Sequence, residues 1–346
     1  MCNIAGYVGN QPAAPILLEM LRRQEGLCGG YYTGIATIHE GKLHYAKLVG
    51  TVSDLETETK AASLPGTIGI IHSRSNSGGG DNWSHPFVRD PGTGATEAYV
   101  ANGSLGCFGP RKKEYDDIAD GLVREGFRMD SREPGGVEGY PLLSDGSGVH
   151  MSDVMCQLIS REIQQGACVE KAMKDAFMSM PAEIVGLLIS LTEPESIGWA
   201  RINMPMNLAF APHGAYLASS PFGFPADAGE PIPLPAGASG TVYPNRFTVN
   251  SFGSMPASVA PISARVRKQA YEKLAEALKR EGLTIGPMEA VVTPLFPKAD
   301  CVPATLVVYD VLHSLKEEGR LQCVREILPG AKGSRKAPKF RFSVSE

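Results

Sequence analysis

The sequence predicts an α+β layered domain of about 250 residues, followed by a small second domain. Three observations carry this. Short apolar runs open the chain and return from Ile184 onward, with helical periodicity between them, so strands lie at both ends and helices in the middle. Prolines and glycines thicken after residue 220, and the stretch 254–261 reads as a linker. Beyond it, 262–346 shows helix, helix and two strands around a basic loop, the order of a winged helix. The boundaries predicted are 2–253, 254–261 and 262–346.

The elements follow in order. Ile4 to Val8 is a strand that stops at Gly9-Asn10. Pro15 starts a helix with Ile16, Leu17, Met20 and Leu21 on one face. Thr33–Ile38 and Lys42–Val49 bracket Glu40-Gly41 as a hairpin. Thr67–His72 is a strand, and a glycine-rich loop, Ser73 to Asp81, follows it. Glu97–Ala101 is a strand ending at Asn102-Gly103. Helices are expected over Tyr115–Gly126, Ser152–Gln165 and Val169–Met178, and strands over Asn207–Ala211, Tyr216–Ala218 and Thr241–Val249. In the small domain, Arg265–Glu281 and Val302–Glu318 read as helices, and Leu321–Ile327 and Lys339–Val344 as strands.

Composition narrows the function classes. Lys plus Arg is 33 and Asp plus Glu is 37, a net charge of −4, which does not fit nucleic-acid binding over the whole surface. No run of eighteen apolar residues occurs, so no membrane span is expected. The seven cysteines stand singly, without a CxxC pair, so neither a disulfide framework nor a metal site is expected. With an opening that lacks a basic, apolar leader, this suggests a reducing, cytoplasmic location.

Four features could carry chemistry. Cys2 follows the initiator Met, whose removal would leave one residue holding a thiol and a free α-amine. That amine, with a reference pKa of about 7.7–8.0, is a base available at neutral pH. Asn102-Gly103 could offer a side-chain amide and a backbone N–H to one developing oxyanion. Arg74, after a strand, suits bidentate capture of a carboxylate. Asp153, at a helix start, could hold an ammonium. Each also has a plain structural reading: a chance cysteine, a turn, a surface arginine and a helix cap.

Taken together, Met-Cys-x-Ile-x-Gly, ILLEMLRRQEG, TIGIIHSR, HPF and ANGS resemble the glutaminase domain of class II glutamine amidotransferases over about residues 2–250. The nearest likeness is to the N-terminal half of the glutamine-fructose-6-phosphate aminotransferases. The resemblance implies a four-layer αββα sandwich of the N-terminal-nucleophile hydrolase type. It implies Cys2 as nucleophile with its own amine as base, and Asn102 and Gly103 as the oxyanion pair. Arg74 would grip the glutamine α-carboxylate and Asp153 its α-amine, while His85, in His-Pro, would lie close by. No cofactor is implied. The substrate would be glutamine or a related amide, and the ammonia would pass to a partner or acceptor outside this chain.

The sequence departs from the family in three places. Asn3 replaces a glycine. CGGYYTG, 28–34, lacks the family's Arg and Asp. RSNSGGG, 74–80, lacks the Trp and His of the loop that closes over glutamine. About 85 residues follow the glutaminase-like part, too few for a pair of sugar-isomerase domains. Two alternatives stay open: an amidohydrolase of another amide, and a degenerate ligand sensor. In the second, the C-terminal module would dock to a protein or, through the basic stretch Lys332 to Arg341, to DNA.

Overall fold

The structure is a computed structural model that describes residues 2–254, 261–297, 300–329 and 335–345. Most of the linker assigned to 254–261 and Lys332 of the basic stretch therefore lie outside the described residues.

In chain order the first domain runs β1 (Cys2–Gly9), α1 (Ala13–Gln24), β2 (Tyr32–His39), β3 (Lys42–Val49), α2 (Val52–Glu58), β4 (Ile68–Arg74), β5 (Phe87–Arg89) and β6 (Glu97–Ser104). Three helices follow: α3 (Lys112–Arg124), α4 (Met151–Gln164) and α5 (Val169–Ser179). The chain then returns to strands: β7 (Glu183–Ser190), β8 (Ile197–Arg201), β9 (Asn207–Ala211), β10 (Gly214–Ala218), β11 (Ile232–Pro233), β12 (Ala238–Tyr243), β13 (Arg246–Phe247) and β14 (Asn250–Ser251). One sheet has the order β11-β9-β10-β1-β4-β2-β3, and the second β13-β12-β8-β7-β6-β5, with β14 beside β12.

Strand alternation explains the layering. Ile4, Ile70, Val100, Leu187 and Trp199 meet between the sheets in a dry core. The opposite face of the first sheet, with Ala5, Tyr7 and Ile71, packs on Leu17 and Leu21 of α1 and Leu55 of α2. The opposite face of the second sheet is covered by α3, α4 and α5 through Tyr115, Met155, Ile159 and Phe177. The result is helix, sheet, sheet, helix.

The C-terminal region holds α6 (Ala264–Arg280), α7 (Ile285–Val292), α8 (Ala304–Glu317) and the hairpin β15 (Leu321–Pro329) with β16 (Lys336–Val344). Leu283, between α6 and α7, adds a one-residue bridge to Phe342 of β16. Its apolar core, with Leu274, Met288, Val308, Leu312 and Phe342, extends to Leu27 and Cys28 of the first domain. Phe340 N–H donates to Gly26 C=O at 2.7 Å, so the hairpin is laced to the loop after α1.

Several expectations need correction. The predicted single strand Thr241–Val249 is split by a turn at Pro244-Asn245 into β12 and β13. The strand expected to end at His72 continues to Arg74, and α2, β5 and α7 were not expected. Asn102-Gly103 is not a turn: it stays in β6, with Asn102 opposite Val185 and Gly103 opposite Ile184 of β7. A Cβ on Gly103 would stand 2.1 Å from Glu183 C=O, so glycine permits that approach.

Candidate active site

Cys2 begins β1 and pairs with Arg74 at the end of β4, which pairs in turn with Tyr32 of β2. Residues in one row across adjacent strands share a face. Cys2, Arg74 and Tyr32 therefore project together toward the open end of the sandwich. There they line, or stand against, a cavity of about 460 Å³ whose wall includes Cys2, Arg74, His85, Gly103, Glu138 and His150.

The second sheet supplies Asn102 and Gly103. Asn102 is buried, and its Oδ1 accepts from the Cys2 nitrogen at 3.0 Å. That contact leaves Nδ2 as the donating end of the amide. Burial pushes the Cys2 thiol above its ordinary range, while the Arg74 charge works the other way.

Arg74 is 2 % exposed. Its Nη2 donates to Ser77 Oγ (2.7 Å), Gly78 C=O (3.0 Å) and Tyr140 OH (3.1 Å), while its buried Nη1 has no hydrogen-bond partner. The guanidinium stands over the rings of Tyr32 (4.7 Å) and Trp83 (5.6 Å). Among the described residues it forms no ion pair. A desolvated cation with an idle donor at a cavity wall suits an anionic ligand.

Three histidines far apart in sequence meet behind it. His72 and His85 stack with centroids 3.8 Å apart, and His150 lies 5.0 Å from His85 at right angles. Burial, reinforced by Arg74, pushes His72 down to about 3, and burial with repulsion from neighbouring histidines and Arg74 pushes His85 and His150 well below the usual histidine range. All three are neutral at pH 7. His72 Nε2 faces Ala101 C=O at 3.1 Å, His150 Nδ1 accepts from Ser152 N–H at 3.1 Å, and neither ring nitrogen of His85 has a partner.

Asp153 is not brought into the cavity. Its Oδ2 accepts from Ser131 N–H (2.9 Å) and Oγ (2.8 Å), and its Oδ1 from Gln157 Nε2 (3.2 Å). It is wholly buried within the helical layer, with the cap position of α4 taken by His150. Among the described residues, the carboxylate that does line the cavity is Glu138, in the loop before α4.

The expected absence of disulfides is also corrected, because Cys107 and Cys301 are joined. They lie 194 residues apart, so spacing could not reveal the pair. Cys107 follows Leu105 and Gly106 of the cavity wall, and Cys301 belongs to the C-terminal region, so the link ties the two. Glu183 lies beside both sulfurs, and the three ligand atoms fall within 4.8 Å of one another.

A thiol beside the amino terminus, a carboxamide on its nitrogen and a sandwich of two sheets fit the N-terminal-nucleophile type of fold. In sequence and fold the N-terminal part of this chain is similar to the glutaminase domain of the class II glutamine amidotransferases. The chain is similar to glutamine–fructose-6-phosphate aminotransferase [isomerizing] of Pyrococcus horikoshii, 26 % identical over 252 residues, 72 % of this chain and 37 % of that protein. The enzyme of the same name from Rhizobium leguminosarum bv. viciae is 41 % identical over 121 residues, 34 % of this chain and 19 % of that protein. This chain thus spans little more than a third of the length of such relatives. No family profile matches it. In fold it resembles the glutamine phosphoribosylpyrophosphate amidotransferase of B. subtilis, with a TM-score of 0.59 at 17 % identity over 80 % of this chain and 58 % of that one. An allosteric regulatory enzyme of purine biosynthesis also scores 0.59, at 16 % identity over 98 % of this chain and 71 % of that one. No helix among the described residues is long and apolar enough to cross a membrane.

Proposed function

We propose that the chain hydrolyses the side-chain amide of glutamine through a thioester on Cys2. The observation that carries the reading is the row Cys2–Arg74 on one cavity wall, with Asn102 hydrogen-bonded to the Cys2 nitrogen and Gly103 lining the same cavity. Arg74 binds the substrate α-carboxylate with its idle donor. The α-ammonium falls to Glu138, since Asp153 is held by Ser131 and Gln157.

Once the initiator Met is removed, the Cys2 nitrogen is a free amine. The half-buried thiol, pushed above its ordinary pKa, is not a resting thiolate, so the amine takes the proton as sulfur attacks the amide carbon. The oxyanion sits against Asn102 Nδ2 and Gly103 N–H. The C–N bond breaks, the leaving nitrogen takes the proton from the amine, and ammonia departs. Water then gives its proton to the amine, adds to the thioester carbonyl and releases glutamate and the thiol. His85 and His150, kept neutral, form an uncharged polar wall that does not compete with Arg74 for the carboxylate.

Ammonia leaves as the co-product of this half reaction, available to an acceptor. Helix order, the Leu283–Phe342 bridge and the hairpin support reading 262–346 as a winged-helix-like module. Its third helix, α8, is turned inward through Val307, Val308 and Tyr309 and carries Asp310 and Glu317, which favours protein docking over DNA binding.

The test is steady-state assay of glutamate and ammonia from glutamine. Cys2→Ala should abolish both products, and Glu138→Gln should raise KM about tenfold with kcat little changed. Undiminished turnover by the Cys2 variant would end the proposal.

A further inference from the structure

The loop between α1 and β2, residues 25–31, lies between the catalytic strands and the C-terminal module. On its inner side it is tied to the neighbours of Cys2 and to Arg74. Asn3 Nδ2 donates to Gln24 C=O at 3.0 Å and to Cys28 C=O at 2.6 Å, and Cys28 Sγ donates to Asn3 Oδ1 at 3.0 Å. Gly30 N–H donates to Ser73 Oγ at 2.8 Å, and Tyr31 N–H to Arg74 C=O at 2.9 Å. Asn3 and Ser73 are both wholly buried.

On its outer side the loop meets the module in close contact. Phe340 N–H of β16 donates to Gly26 C=O, and the Phe340 ring lies so near that a Cβ on Gly26 would stand 2.2 Å from it. A Cβ on Gly30 would stand 2.8 Å from Ala337 Cβ. Leu27 and Cys28 are buried in one apolar cluster with Leu274, Val308 and Phe342. Tyr309 of α8, 3 % exposed, brings its OH to 3.9 Å from Cys28 Sγ. Because the Cys28 hydrogen goes to Asn3, the Tyr309 hydroxyl is the donor to sulfur.

Cys2 itself has few restraints. Strand β1 pairs with β10 only from Ala5 onward, so at Cys2 its ladder has a neighbour on one side alone, β4. The direction in which the chain end presents thiol and amine is therefore set largely by the next residue, Asn3, whose side chain the loop grips.

We infer that the C-terminal module positions the nucleophile, with Tyr309 and Phe340 as positioning residues that act on Cys2 through the 25–31 loop and Asn3. The inference rests on Cys2 being the nucleophile of the proposed reaction. A close-packed interior transmits such a constraint because it does not deform freely. A chain end released by a fraction of an ångström takes the amine off Asn102 and the sulfur out of line with the substrate carbon. The module is then a working part of the hydrolase, and whatever shifts α8 or β16 reaches the thiol.

The test compares four variants of the full chain with wild type. Tyr309→Phe removes one hydroxyl and keeps the ring. Phe340→Ala empties the contact with Gly26, and Phe340→Leu refills part of it. Met288→Ala is the control, opening a cavity in the same apolar cluster from α7. Beside melting temperature, the readouts are kcat and KM for glutamine and the pH profile of Cys2 alkylation by iodoacetamide, resolved by peptide mapping. Phe340→Ala should lower kcat about tenfold with KM less affected, and Tyr309→Phe about threefold. Both should shift the midpoint of the Cys2 profile, and Phe340→Leu should recover most of the Phe340→Ala loss. Met288→Ala should lose a comparable amount of melting temperature, yet keep the wild-type kcat and profile. Equal kcat losses in Met288→Ala and Phe340→Ala, or a wild-type Cys2 profile in both Phe340→Ala and Tyr309→Phe, would overturn the inference. A wild type that turns over no glutamine, but whose Cys2 profile shifts in those two variants, would end the glutaminase reading and uphold the positioning.

Discussion

Asn3 and Cys28 are bonded to each other in both directions. Cys28 Sγ donates to Asn3 Oδ1 at 3.0 Å, and Asn3 Nδ2 donates to Cys28 C=O at 2.6 Å and to Gln24 C=O at 3.0 Å. These are two of the positions at which the sequence departs from the amidotransferase pattern, and they are partners. Asn3 points away from the cavity, on the α1 side of the sheet, so the pair braces the loop after α1 directly behind Cys2. On its far side, Cys28 contacts Tyr309 of α8 at 3.9 Å.

Asn3→Ala should therefore act on stability before chemistry. It takes the Asn3 donor from Cys28 C=O and the Asn3 acceptor from the Cys28 thiol, while Gln24 C=O keeps Leu27 N–H, at a cost of roughly 1–3 kcal/mol. Thermal unfolding should shift down accordingly. An unchanged melting temperature would show that water or a neighbour replaces the contact at no cost.

Arg74→Met should preserve the fold, because the flat stack on Tyr32 and Trp83 is largely kept by an unbranched apolar side chain. It should cut kcat/KM for glutamine by roughly 2–4 kcal/mol of transition-state binding. Kinetics indistinguishable from wild type would remove Arg74 from the substrate site.

The three histidines make a pH prediction whose sign is set by burial. Unfolded histidines protonate near 6.5, whereas His72 resists to about 3 and its two neighbours are also depressed. The unfolded state binds more protons in that window. Stability should thus be full above about pH 6.5 and fall on acidification, by about 1.4 kcal/mol per pH unit for each histidine. Glu25 opposes this. Burial pushes its pKa up to about 7, so its contribution is present at low pH and lost as pH rises from about 4.5 to 7. Asp153, Glu289 and Asp310, also pushed up by burial, oppose it in the same sense, so the histidine contribution is read from the difference between wild type and a histidine variant. Between pH 6.5 and 4.5 the melting temperature of the wild type should fall relative to that of His85→Leu, by the equivalent of about one proton. Parallel profiles for the two proteins would contradict the neutral cluster.

The Cys107–Cys301 link should appear as one cross-linked peptide pair after digestion without reductant. Closing so long a loop stabilises by roughly 2–5 kcal/mol, which Cys301→Ser should lose. Free thiols at both positions in protein purified without reductant would contradict it.

What the sequence made legible was local. The strand Ile4–Val8, the helix after Pro15 and the strand leading to Asn102-Gly103 all rest on neighbouring residues, and the resemblance supplied the layering. What it hid was convergence. His72 lies within β4, His85 just before β5 and His150 at the cap of α4, and only the folded sandwich brings them together. Asp153 has the residue type and helix position of a ligand, but the turn of α4 carries its carboxylate to Ser131. Helix α7 was missed because Gly286-Pro287 reads as a break, whereas proline in a first turn gives up no helical hydrogen bond.

The central claim is that Cys2 is the nucleophile, and reaction with 6-diazo-5-oxo-norleucine tests it most directly. Intact mass should first show loss of the initiator Met. The reagent should then add once, and peptide mapping should place it on Cys2 and not on the exposed Cys168 or Cys323. Protein with a free Cys2 amine that takes no label, or takes it elsewhere, would contradict the account.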